Sequence, residues 1–156
     1  MLEIAIPGYK HFSLRHLVLD YNGTLACDGK LIAGVGERLE LLSKHLGIHV
    51  LTADTFGGVA GELSGLPCRL SVIPKQEQAV AKAAYVGDLG TESCAAIGNG
   101  SNDRMMLKEA ALGIALVQAE GASIEAVLAA DVLSRNIGEA LDLLLNPLRL
   151  TATLRG

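Results

Sequence analysis

Short apolar runs separated by longer helical patterns set the tightest limit on how this chain can fold. Leu2–Ile6, His16–Leu19, Ile48–Leu51, Arg69–Ile73, Cys94–Ile97, Leu112–Leu116 and Asp131–Leu133 are too short for helices, and several end at Asp, Gly or Thr. They are expected as strands. Between them, "VGERLELLSKHLG" spaces Val35, Leu39, Leu42 and Leu46 at three- and four-residue steps and stops at Gly47. That is the pattern of an amphipathic helix with a glycine C-cap. Gln76–Leu89, Asn102–Ala111, Ser123–Ala130 and Ile137–Leu145 read as further helices, and the tail "NPLRLTATLRG" as a surface helix open to subunit packing. Strand and helix in repeated alternation predict a parallel sheet with helices on both faces, a three-layer α/β/α Rossmann-like fold. In such sheets the reactive crevice lies outside the carboxyl ends of the strands. Asp20, Thr52 and the loop after Ile97 stand there.

With 156 residues the chain fits one domain, and a chain of that size buries roughly 68–70% of its unfolded surface without help from disulfides or metals. No apolar run approaches the ~18–20 residues of a membrane span, and "MLEIAIPGYK" lacks a basic start followed by an apolar stretch. A cytoplasmic protein is expected. The net charge of −4, the lack of any Lys/Arg-rich run and the absence of Trp argue against a nucleic-acid partner. Cys27, Cys68 and Cys94 are odd in number, far apart and without CxxC spacing, which suits reduced thiols; Cys94 reads as a buried strand residue. His11, His16, His45 and His49 share no metal-ligand spacing and lean structural.

Three segments could carry chemistry. "LVLDYNGT" places Asp20 just past an apolar strand, where a carboxylate can attack phosphorus if a cation neutralises the phosphate. Asn22-Gly23 is equally a hairpin-turn signal. "HVLTAD" puts Thr52 at the next strand's end, as a phosphate-oxygen donor beside the backbone of Ala53, or simply as a helix cap. "AAIGNGSNDRMMLKEAALGIAL" gathers Asn99, Asn102 and Asp103 where a strand meets a helix, a set of oxygen donors suited to Mg²⁺ or a plain N-cap. A dinucleotide fingerprint fails there, because Asp103 stands where its third glycine belongs.

In order, these segments resemble the motifs of the haloacid dehalogenase (HAD) superfamily of Mg²⁺-dependent phosphohydrolases. "LVLDYNGT" is similar to its D-x-D-G-T strand end with Asn22 in the third place, "HVLTAD" to its second motif, and "GNGSND" to its G-D-x-x-N-D with Asn99 in the second place. "KAAYVGDL" matches the spacing of the lysine motif in the related P-type ATPases through Lys82, Val86 and Leu89, with Lys75 as the lesser candidate. "LTAD" and "GNGSNDRMMLKEAALGIAL" resemble that ATPase branch, and the chain looks like its small, soluble, stand-alone members. Val86–Asp88, "VGD", imitates the fourth motif without a following N-D.

The resemblance implies a single HAD core domain over residues 1–156 without a cap domain, since 32 positions separate Asp20 from Thr52 and 30 separate Thr52 from Lys82. It expects a short flap hairpin at about 24–33 with its turn at Asp28-Gly29. The family mechanism, carried over, makes Asp20 the nucleophile and gives the phosphoryl oxygens to Thr52, Ala53, Lys82 and Asn102. Mg²⁺ would sit among Asp20, the backbone carbonyl of Asn22, Asn99 and Asp103. Asn22 stands where the family carries its acid/base, and an amide cannot exchange a proton at neutral pH. The expected function is therefore a slow phosphatase acting on a phosphorylated small molecule or exposed phosphoryl group, with a non-catalytic phosphate or phosphoprotein binder as the alternative. Without a cap the site would act on an exposed phosphoryl group or borrow a lid from a neighbouring subunit in a homo-oligomer.

Overall fold

The computed structural model describes residues 1–54 and 58–156. Its strands are β1 (Leu2–Ala5), β2 (His11–Leu14), β3 (His16–Asp20), β4 (Ala26–Cys27), β5 (Lys30–Leu31), β6 (Gly47–Thr52), β7 (Arg69–Val72), β8 (Cys94–Gly98), β9 (Leu112–Leu116) and β10 (Val132–Ser134). Its helices are α1 (Val35–Leu42), α2 (Gly58–Glu62), α3 (Gln78–Leu89), α4 (Arg104–Glu109), α5 (Ile124–Ala129), α6 (Ile137–Leu145) and α7 (Pro147–Leu154). Six strands form one parallel sheet in the order β10-β9-β8-β3-β6-β7. From β3 the chain winds outward through β6 to β7, returns across the sheet to β8 on the other side of β3, and continues outward to β10. The direction of winding therefore reverses between β3 and β8, where doubly wound sheets open their ligand crevice.

Each face of the sheet has its own apolar layer. Leu17, Leu19, Ile48, Val50, Ile97 and Ile114 pack with Leu39 and Leu42 of α1, Leu141 and Leu144 of α6 and Leu150 of α7. Val18, Leu51, Ala96 and Ala115 pack with Val86 of α3, Met106 and Leu107 of α4 and Ala126 of α5. Alternate residues of β3 thus serve opposite faces, as strand geometry requires.

Several expectations need correction. Leu2–Ile6 forms a strand, but not in the parallel sheet: β1 pairs antiparallel with β2, a strand unannounced by the short mixed run "HFSL". The first helix ends at Leu42, and Gly47 is the opening residue of β6 rather than a cap. Its N–H donates to the Arg15 carbonyl at 2.8 Å. A side chain there would press on the rings of His16 and His49, at 3.2 and 3.3 Å from its Cβ, so the glycine makes room for two histidines. The helix expected from Gln76 starts at Gln78, because Glu77 adopts a left-handed φ of 53°. Asn102–Ala111 opens as a 3₁₀ turn, Ser101–Asp103, before α4. Cys94 is buried in β8, and the Val86–Asp88 mimic lies within α3.

Candidate active site

Asp20 ends β3 on the same face as Val18, toward α3 and α4. Helix α3 buries Ala79, Lys82, Ala83 and Val86, the i, i+3, i+4, i+7 stripe of a helix that covers a sheet. One member of that stripe is a lysine. Lys82 is only 1% exposed, and its Nζ donates to Asp20 Oδ1 at 2.6 Å and to Asp103 Oδ1 at 2.7 Å. An ammonium this deep persists only with partners, and two carboxylates supply them. Lys75 lies on the loop before α3 and lines a polar cavity of about 540 Å³ with Gln78, Ser101, Asn102 and Arg104.

Asp103 is fully buried and uses both oxygens. Oδ1 meets Lys82, while Oδ2 accepts the backbone N–H groups of Asn99 at 3.0 Å and Gly100 at 2.9 Å. Gly98 is obligatory beside it, since a Cβ there would come within 2.5 Å of the Asp103 carboxyl carbon. On the other side of Asp20, the buried hydroxyl of Thr24 lies 3.1 Å from Asp20 Oδ2 and 3.3 Å from Asn99 Oδ1.

The Asn99 amide is oriented by its surroundings. Its Nδ2 lies 3.1 Å from the Gly121 carbonyl, which can only accept, so Oδ1 turns inward toward Thr24. That side chain lies flat against Gly23, whose φ is 78° and whose Cβ, if present, would reach Asn99 Nδ2 at 2.5 Å. Thr52 is buried at the end of β6, with Oγ1 accepting the Asp54 N–H at 3.1 Å, and Ala53 follows it, half-buried. Asn102 is turned away: its Nδ2 donates to Gln78 Oε1 at 2.7 Å. Asn22 is exposed on the loop beyond Asp20.

That loop is folded tightly. The Tyr21 carbonyl faces the N–H groups of Thr24, Leu25 and Ala26 at 3.0 to 3.2 Å. The β4–β5 hairpin follows, its turn made by left-handed Asp28 and Gly29 at φ 51° and 79°. The buried Tyr21 ring sends its hydroxyl to the Gly29 carbonyl at 2.9 Å.

Electrostatics concentrate on Asp20. Burial and the charge of Asp103 push its carboxyl up to about 7, against the opposing pull of Lys82 and Thr24. Burial works to lower the Lys82 pKa, but Asp20 and Asp103 outweigh it and raise the value above a free lysine's. Two carboxylates around one ammonium leave a buried excess of negative charge. With the Asn99 oxygen facing the same place, the donor set is hard, oxygen-only and anionic, which fits a divalent cation such as Mg²⁺.

Comparison with known proteins follows the same residues. Lys75–Arg135, which holds Lys82, Asn99 and Asp103, matches the model of the haloacid dehalogenase-like hydrolases. The fold agrees with the cobalt-bound deoxy-D-mannose-octulosonate 8-phosphate phosphatase from Haemophilus influenzae, at a TM-score of 0.72 and 16% identity over 92% of this chain and 94% of that one. The family likeness thus covers residues 75–135, and the fold likeness extends over most of the chain. A second structure, 3-deoxy-D-manno-octulosonate 8-phosphate phosphatase from Moraxella catarrhalis in complex with magnesium ion, phosphate ion and KDO, matches with a TM-score of 0.68 and 19% identity over 92% of this chain and 94% of that one. Identities this low speak to the fold. Uncharacterized protein MJ0073 of Methanocaldococcus jannaschii is 52% identical over 60 residues, 38% of this chain. The match spans 64% of that relative's length.

Sequence reasoning missed three contributors. Thr24 lay inside a recognised motif without a role of its own. Tyr21 stood in the same motif with no reading of its own. Gln118, two residues beyond β9, donates through Nε2 to the carbonyls of Gly23 at 2.9 Å and Thr24 at 2.8 Å. Nothing local announces a glutamine that acts across 94 residues.

Proposed function

We propose that this chain is a Mg²⁺-dependent phosphohydrolase that works through an aspartyl-phosphate on Asp20. The supporting observation is the buried Lys82 ammonium, held 2.6 Å from Asp20 and 2.7 Å from Asp103 at the sheet's switch point. Asp20, the backbone carbonyl of Asn22, the Asn99 oxygen and Asp103, directly or through water, would hold the cation, which supplies neutralising charge for the incoming phosphoryl group. The Thr52 hydroxyl, the Ala53 N–H and Lys82 would bind its oxygens.

Asp20 attacks phosphorus as the bond to the leaving oxygen breaks, and Lys82 offsets the charge that gathers on the phosphoryl oxygens. Water then attacks the phosphorus of the acyl phosphate, releasing inorganic phosphate and restoring the Asp20 carboxylate. Asn22 can neither protonate the leaving oxygen nor deprotonate that water, which favours leaving groups stable as anions and a slow second step. Asn102 has its amide hydrogens turned to Gln78, so it plays a smaller part than the motif implies. The substrate class is a small phosphorylated molecule, consistent with the phosphatases that share the fold, and the setting is the cytoplasm, consistent with three unpaired cysteines.

Incubation with acetyl phosphate or p-nitrophenyl phosphate and Mg²⁺ should give phosphate release and an acid-stable, hydroxylamine-sensitive label on Asp20, both lost in Asp20→Asn. A second reading, phosphate binding without turnover, is favoured by Asn22. Fluoroberyllate binding without phosphate release would select it.

A further inference from the structure

We infer that Gln118 is a positioning residue for this site, an inference that rests on the phosphohydrolase reading above. Its carboxamide is fully used: both Nε2 hydrogens go to the carbonyls of Gly23 and Thr24, at 2.9 and 2.8 Å, and Oε1 accepts the Ile137 N–H at 3.0 Å. One side chain thus ties the loop after the nucleophile to the start of α6. The carbonyls it grips belong to the residue that packs under Asn99 and the residue whose hydroxyl meets Asp20.

The same loop reaches the site a second time. Gly121 closes a turn by donating its N–H to the Gln118 carbonyl at 2.8 Å, its own carbonyl accepts from Asn99 Nδ2 at 3.1 Å, and the Ser123 N–H donates to the Asn99 carbonyl at 2.8 Å. Residues 118–123 therefore brace both the nucleophile loop and the strand end that carries Asn99, although none of the four family motifs includes them.

Gln118 spends its hydrogen bonds on Gly23, Thr24 and Ile137, none of them on Asp20, Thr52 or Lys82. Its loss removes no group that would touch phosphate, but it frees Thr24 to swing away from Asp20. Misplacement of about 1 Å in such a site can cost about 10²-fold in rate. Gln118→Ala removes the clamp. Gln118→Glu keeps its shape but sets an anionic oxygen against two carbonyls, so its effect should be the larger.

The test uses the full chain with Mg²⁺ and acetyl phosphate, beside hydrogen exchange of the amides from Gly23 to Ala26. Expected are a fall in kcat of about 10–100-fold with KM within about threefold, and faster exchange at Gly23–Ala26 while β3 and β6 stay protected. Circular dichroism at the assay temperature should show both variants folded. Unchanged kcat, or a loss of activity that merely follows the unfolded fraction, overturns the inference. An inert wild type that also fails to bind fluoroberyllate overturns the phosphohydrolase reading instead. The clamp is then judged by exchange alone: faster exchange in Gln118→Ala upholds it, and unchanged exchange removes it.

Discussion

Because a backbone carbonyl only accepts, the Gly121 oxygen decides which way the Asn99 amide faces, and so decides what residue 99 may be. An aspartate at that position would set a carboxylate oxygen 3.1 Å from the carbonyl. Asn99→Asp should therefore lower stability by about 1–3 kcal/mol in urea unfolding without metal, even though it restores the family's carboxylate. Asn22 predicts the reverse. It is exposed, so Asn22→Asp should leave stability unchanged, and it should raise turnover at least tenfold, since a general acid/base is worth about 10²–10⁴-fold. Lys82→Met is the harshest change, because it strands two buried carboxylates; a loss of about 3–5 kcal/mol is expected, partly recovered in Lys82→Met/Asp103→Asn. Thermal unfolding of the three proteins checks it. These residues were legible in the sequence for one reason: each interrupts an apolar pattern. Asp20 ends a run, Lys82 sits on an apolar stripe, and Asp103 follows a strand and a glycine pair. Gln118 also ends an apolar run, but its partners Gly23, Thr24 and Ile137 lie far away in sequence, and Tyr21 carries no pattern of its own.

At the level of elements, six of the seven expected strands fell into the parallel sheet, because short apolar runs between helical patterns need no distant information; the edge strands β7 and β10 still expose Val72 and Leu133. The N-terminal run did not, since nothing within Leu2–Ile6 says which strand it will pair with. Helix ends were harder: Glu77 turns left-handed with nothing in its neighbourhood of sequence to announce it, and Gly47 is set by its contacts with Arg15, His16 and His49. His16, which opens β3, and His49, two residues past Gly47 in β6, illustrate this. His16 Nδ1 lies 3.1 Å from His49 Nε2, and His49 Nδ1 lies 2.9 Å from the Tyr85 hydroxyl on α3. Burial, helped by the nearby His16 and Arg69, lowers the His49 pKa to about 4. Its folded value is then below its unfolded one, so the unfolded chain binds the extra proton and stability is lost as pH falls from about 6.5 toward 4. The effect is at most about 3 kcal/mol. In His49→Gln that loss should shrink, as urea midpoints measured at pH 4.5 and 7 would show.

For the molecule as a whole, Asp20 acts with the opposite sign. Its folded pKa of about 7 lies above the unfolded value, so the folded state holds a proton that the unfolded state gives up, and stability declines as pH rises from about 4 to 7. Asp20→Asn should be more stable than wild type at pH 7.5 without metal, and Mg²⁺ should close the gap by stabilising only the wild type. Winding direction, charge and donor set thus meet at one point of the sheet, between β3 and β8. The hairpin beside that point is held by Tyr21, one residue from Asp20, through its bond to Gly29. A flap tied this close to Asp20 is pinned at its tip by that bond. If the chain turns over, its pace should be set by bond breaking at phosphorus rather than by solvent drag, and kcat should be indifferent to added glycerol or sucrose.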